Sequence, residues 1–302
     1  MQERPIQRPI QNTDKRALLL IGTVFVFCWA SGFVVPRVFV PYAEPFTFVA
    51  LRNVGAALVL AAISLALAAT WPRALADVAG LLWAGACLQG FAVMGLYWAV
   101  YWGLPVGIAA LVGGLQPVLT ALFAVVLLGE KLLALQWVGI GLGFVGLSLA
   151  VLPKITPAQA SFALISSALF GVAAMAYASI YQKRFRGVGD AWSRTTLMFV
   201  GASLPPVAAS CLFERGAVDW QPALIAVYAW SVLALAVGAT MALLFLIEKG
   251  QASRAAALLY LVPPTSALMA YIGFGETFSL AQLAGFAVSA GGVALVQAGA
   301  VG

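Results

Sequence analysis

Two glutamine side chains stand in the middle of long apolar runs, Gln89 within residues 78–101 and Gln116 within residues 105–128. A primary amide offers two donors and a carbonyl acceptor, and a polar group at such depth is expensive unless it faces a cavity or a neighbouring helix. Both amides are therefore candidates for contact with a polar solute. The plain alternative is hydrogen bonding between helices, worth about 0.6 kcal/mol on average. Arg52 is the only charged side chain clearly inside an apolar run. It reads either as the partner of a carboxylate solute or as a snorkelling side chain that takes loop carbonyls. Glu44 lies two turns earlier, too far along one helix for an i,i+4 pair. Trp29, Phe170, Phe245 and Tyr260 also lie deep in their runs. Rings there either wall a solute and meet an ammonium group through cation–π contact, or simply pack. Phe170 stands, at an offset of 141, where Trp29 stands in the first half. Tyr97, Trp98, Tyr101 and Trp102 fall toward a run's end, as an interfacial aromatic belt does.

Other chemistry is poorly supplied. With no histidine in the chain, both the commonest zinc ligand and the commonest neutral-pH general base are missing. Cys28, Cys87 and Cys211 are odd in number and lie in apolar runs, so they read as small hydrophobes without a disulfide. Asp190 and the pair Glu214-Arg215 fall on opposite sides of the layer, and no serine lies near a plausible base. The expectation is a protein that is not an enzyme and takes no cofactor or metal. No ring of charge or filter motif points to a channel.

The elements that position these residues are set by composition. Hydrophobic residues make up 63% of 302 and charged residues 9%, far below the quarter usual in soluble domains. A helix needs about 20 apolar residues to cross the hydrocarbon layer. Runs of that order occur at 17–35, 45–69, 78–101, 105–128 and 132–152, then at 157–181, 194–213, 223–247, 252–274 and 280–300. They lack the strict alternation of a membrane barrel. The first run is too long for a signal peptide and is read as a retained helix. If residues 1–16 are cytoplasmic, twelve basic residues fall inside and three (Arg37, Lys154 and Arg215) outside. Both termini are then expected in the cytoplasm. The net charge of +6 is spread over short loops and forms no basic face for a nucleic acid.

The chain repeats itself. A shift of 146 residues pairs Ala109, Leu115, Pro117, Gly129, Glu130, Gln136, Gly139 and Gly146 with Ala255, Leu261, Pro263, Gly275, Glu276, Gln282, Gly285 and Gly292. The ordered Pro, Gly-Glu and Gln-x-x-Gly matches exceed what an Ala/Gly-rich composition supplies by chance. Five spans per copy is an odd number, so the second copy enters from the opposite side. The expected fold is all-α, ten transmembrane helices in two inverted five-helix repeats, residues 17–152 and 157–300. Inverted repeats are a recurrent build of secondary transporters, with the solute held near the midplane. The site is placed between spans one, three, four, six, eight and nine, with helix bends at Pro117 and Pro263 as structural kinks or hinges.

Trp29-Ala30-Ser31-Gly32-Phe33, Glu44-Pro45 through Arg52, Gln116-Pro117 and Leu128-Gly129-Glu130-Lys131 resemble the signature of EamA-type transporters in the drug/metabolite transporter superfamily. Within it, the chain is similar to the bacterial aromatic amino acid exporters of the YddG type. The resemblance covers nearly the whole chain. It implies ten helices, a cytoplasmic N-terminus, a bacterial inner-membrane location and export of metabolites, often amino acids. It also implies that Glu130 and Glu276 close their hairpins structurally. The solute-binding set expected is Gln89, Gln116, Trp29, Tyr260, Phe170, Phe245 and Arg52, in a protein functional as a monomer. A multidrug or nucleotide-sugar-like cargo is the alternative. No central carboxylate or histidine is present, so a facilitator, or coupling through Glu44 or Glu276, is expected.

Overall fold

The structure, a computed structural model, describes residues 12–151, 162–242 and 261–298. Among these residues the chain is all helical and contains no strand. We number the helices α1 Asn12–Ser31, α2 Val35–Phe39 and α3 Pro45–Ala66. α4 (Leu75–Tyr101), α5 (Val106–Leu128) and α6 (Ala134–Val151) complete the first half. The second half holds α7 (Phe162–Phe185), α8 (Ala191–Phe213), α9 (Pro222–Ala242), α10 (Val262–Phe274) and α11 (Leu280–Ala298). Six of the helices, α3, α4, α5, α7, α8 and α9, are long and apolar enough to cross a membrane. The protein is thus an integral, multi-pass membrane protein. The short α2, with Pro36 in its first turn, had no counterpart in the sequence reading.

The 146-residue register is visible in backbone detail. α5 is interrupted two residues before the repeated proline, at Leu115 (φ −77°, ψ −4°), and α10 begins directly after the corresponding Leu261 (φ −80°, ψ −11°). Pro117 and Pro263 then occupy the first turn of the following segment, where a missing N–H costs nothing. Both segments end on a left-handed glycine, Gly129 at φ 67° and Gly275 at φ 65°, which a side chain would strain.

The two copies meet through reciprocal contacts, as a two-fold relation requires. Gln136 Nε2 donates to the Val296 carbonyl at 3.2 Å, and Gln282 Nε2 donates to the Ala150 carbonyl at 3.3 Å. Each glutamine also takes a backbone N–H three residues earlier, from Leu133 and from Ser279. α6 and α11 approach backbone to backbone: a Cβ on Gly139 would lie 2.6 Å from the Gly292 oxygen, and one on Gly285 would lie 2.6 Å from the Gly146 oxygen. Small residues allow such close crossings where lipid gives helices no hydrophobic reason to associate.

The repeats are tied at both ends by acids. Glu44 Oε2 accepts the Gly216 N–H at 3.1 Å, and its mate Asp190 accepts the Thr70 N–H at 2.9 Å. Gly216 and Thr70 are themselves 146 residues apart. Asp190 also caps α8 through the Ser193 N–H at 3.0 Å.

Candidate functional site

Three adjoining hollows meet at the Trp29 ring, in the middle of the bundle. One, of about 210 Å³, is lined by Trp29, Gln89, Gln116, Met175 and Ser179, and reaches Arg194 in the first turn of α8. A second, of about 80 Å³, lies against Arg52, Gln89, Tyr97 and Met175. The third, of about 230 Å³, is apolar and runs past Pro117, Pro263, Pro264 and Phe286. Each is below the roughly 300–1,000 Å³ of pockets for drug-sized ligands, which suits a small solute.

Gln89 and Gln116 stand together in the 210 Å³ hollow. Gln116 Nε2 donates to Ser179 Oγ at 3.0 Å. Gln89 Oε1 accepts from Arg52 Nη1 at 3.4 Å. Trp29 lines all three hollows. Arg52 is 5% exposed; its Nη1 also donates to Asn53 Oδ1 at 2.8 Å. Asn53 Nδ2 is in turn fixed on the Ala202 carbonyl at 2.9 Å. Glu44 is engaged with the Arg215 and Gly216 N–H groups instead of Arg52. Pro117 and Pro263 face each other's half in the apolar hollow. Phe170 stands apart from all three: its ring is 59% exposed and packs edge-on against Phe91, 6.0 Å between centroids. Phe245 and Tyr260 lie outside the described residues.

Several site residues escaped the sequence reading. The residue 146 positions after Trp29 is Met175, which does face Trp29 across the hollows. Keeping the register of the proline and Gly-Glu matches would have found it, whereas the offset of 141 leads to Phe170. Tyr97 is no interfacial belt residue. It is 6% exposed, lines the Arg52 hollow and joins the Phe39–Phe48 stack, whose centroids are 4.1 Å apart. Gln89 sits in a π-helical segment, Ala86–Phe91, and its mate Leu235 sits in another, Trp230–Ala239. Such bulges have no residue signature, yet they recur beside functional sites.

The two ends of the cavity differ. At one end the Phe39, Phe48 and Tyr97 rings pack on one another, and Tyr97 lines the Arg52 hollow. There Glu276 accepts the Val106 N–H at 3.2 Å and lies 3.9 Å from Arg37 Nε. Glu214 accepts the Phe46 and Thr47 N–H groups at 2.8 and 2.7 Å. Both carboxylates sit at helix N-termini, where the dipole favours negative charge. Glu276 thus ties the loop after α10 to the N-terminus of α5 in the other repeat. At the other end, the mates of Phe39 and Phe48 are Phe185 and Arg194, and Arg194 lines the hollow.

Replacing Gln89 or Gln116 by alanine is expected to lower solute exchange about two- to tenfold, the worth of one hydrogen bond, at unchanged protein level. Exchange by purified, reconstituted variants measures it.

Two-fold related helical halves around a central cavity are a recurrent build of membrane transporters. The chain matches the EamA-like transporter family over residues 16–152 and 162–298, and belongs to that family. It is 26% identical over 296 residues to the uncharacterised transporter YvbV of Bacillus subtilis (strain 168), covering 95% of this chain and 94% of the relative. It is also 26% identical over 285 residues to a chloroplastic WAT1-related protein of Arabidopsis thaliana, 90% of this chain and 67% of that one. A solved crystal structure shares the fold with a TM-score of 0.64 at 19% identity, covering 94% of this chain and 97% of its own.

Proposed function

We propose that this chain exports amino acids and related small metabolites across a bacterial inner membrane by alternating access, as a monomer crossing the bilayer ten times with both termini in the cytoplasm. The observation that carries the reading is the cavity at Trp29, which joins amides to aromatic and aliphatic walls. A solute with an apolar body and a small polar head matches that lining better than a sugar phosphate, which asks for a basic cluster. The excess of basic residues assigns the Arg194 end to the cytoplasm. The Phe39–Phe48–Tyr97 rings then lie toward the outside and Arg194 toward the cytoplasm. Few polar groups discriminate between solutes, so specificity is broad.

Counterflow tests the reading. Proteoliposomes preloaded with unlabelled phenylalanine, methionine or threonine are expected to accumulate the labelled amino acid saturably, above empty vesicles. No exchange of all three, beside robust exchange of a nucleotide sugar or a drug cation, overturns it.

A further inference from the structure

We infer that Arg52 is the carboxylate-binding group of the carried solute, which makes the substrate class small organic carboxylates with an apolar body. This rests on the transport reading above and narrows it. Arg52 carries a charge that no described acidic residue pairs with. It lies in the second turn of α3, 5% exposed. Its contacts, Asn53 Oδ1 and Gln89 Oε1, are neutral amide oxygens taken by Nη1 alone. Nε is fully buried and has no hydrogen-bond partner among the described residues. A buried cation without counter-charge costs several kcal/mol, and an unmet buried donor adds to that cost. A packing role gives no reason to keep either.

The scaffold holds Arg52 ready for a ligand. Asn53 orients Nη1 while being anchored to Ala202 on α8, and Gln89 reaches it from the π-helical turn of α4. Arg52 lines the 80 Å³ hollow beside Gln89, and a guanidinium so placed offers N–H donors whose planar fork matches the two oxygens of a carboxylate.

The repeat isolates the feature. The mates of Arg52, Asn53, Gln89 and Gln116 are Met198, Phe199, Leu235 and Val262, all apolar. In the hollow at Arg52 the second half contributes the apolar Met175, Leu235 and Ala239, so the polar side chains there come from one half. That one-sidedness orients a solute with one polar end. The hollow at Arg52, about 80 Å³, has room for a small head. Past Trp29 the apolar hollow of about 230 Å³ takes the body. A positive charge at this place also disfavours cationic drugs as cargo.

The test compares solutes that differ at the carboxylate. Wild-type protein in proteoliposomes is given labelled phenylalanine, phenylalaninamide, which keeps the ring and ammonium, and 3-phenylpropionate, which keeps the ring and carboxylate. The expected result is exchange of phenylalanine and 3-phenylpropionate at least about tenfold above phenylalaninamide, the scale of a charge-assisted hydrogen-bond pair. In Arg52→Gln that preference is expected to vanish. Thermal unfolding of the wild-type protein supplies a reading that needs no variant: both carboxylates protect it and phenylalaninamide does not. Equal exchange and equal protection by phenylalanine and its amide, or an intact preference in Arg52→Gln, overturns the assignment and leaves amino acid export standing. Exchange of none of phenylalanine, methionine, threonine and 3-phenylpropionate overturns both.

Discussion

Leucine in place of Gly85 or Gly201 is expected to abolish recovery of folded protein. These two glycines set the closest crossing between the repeats, where α4 of the first half lies on α8 of the second. A Cβ on Gly85 would collide with the main chain of Met198, and one on Gly201 would collide with the main chain of Leu82. The obstacle is backbone on both sides, so no rotamer change relieves it and the helices must separate. Ordinary overpacking costs about 1–3 kcal/mol; here the crossing itself is lost. That separation would also displace Asn53, which bonds Ala202 beside Gly201, and with it Arg52. Leucine at Gly141 or Gly291 is the control, because a Cβ there meets nothing within 4 Å. Size-exclusion profiles of fluorescently tagged variants measure the outcome: a monodisperse peak for the controls and none for Gly85→Leu or Gly201→Leu. A normal peak for either of these would mean that the crossing is looser than described.

Much of this fold was legible because its determinants are local and repeated. Pro117 and Pro263 cannot continue a helix, Gly129 and Gly275 alone tolerate a left-handed stop, and Gln136 and Gln282 cap their own helices three residues back. Such residues carry the same meaning in either copy, so one shift of the chain exposes them. The glutamines of the cavity were legible for a related reason, since an amide at mid-depth asks for a partner.

The rest depended on partners far away in the chain. Glu44 meets residues about 170 positions later, and nothing near it announces that its carboxylate belongs to the Arg215 and Gly216 amides. Tyr97 reads as a surface ring from its place near a helix end, and part of its cover is Phe39 of α2, a helix too short to be seen as a pattern. The π-helical turns that set the rotation of Gln89 and Leu235 change the backbone register without any fixed residue type. Phe170 shows the opposite error: a ring deep in an apolar run, facing away from the cavity because the faces of a helix apolar all round cannot be told apart by composition.

Alternating access requires one cavity, exposed to one side at a time. In protein with Cys28, Cys87 and Cys211 replaced by alanine, a single cysteine at Ser179 or at Leu96 reports on it. Ser179 lines the hollow that reaches Arg194, and Leu96 lies in the Arg52 hollow behind the Tyr97 ring. Membrane-impermeant thiol reagents are added from either side of oriented vesicles, with and without an exchangeable amino acid. Without solute, Ser179→Cys is expected to react from the Arg194 side, and Leu96→Cys to be shielded from the Glu276 side by the stacked rings. Solute under exchange is expected to slow the first reaction and open the second, since each molecule that faces one side is closed to the other. Both cysteines reacting from both sides, at rates that solute does not shift, would contradict the account and describe a pore.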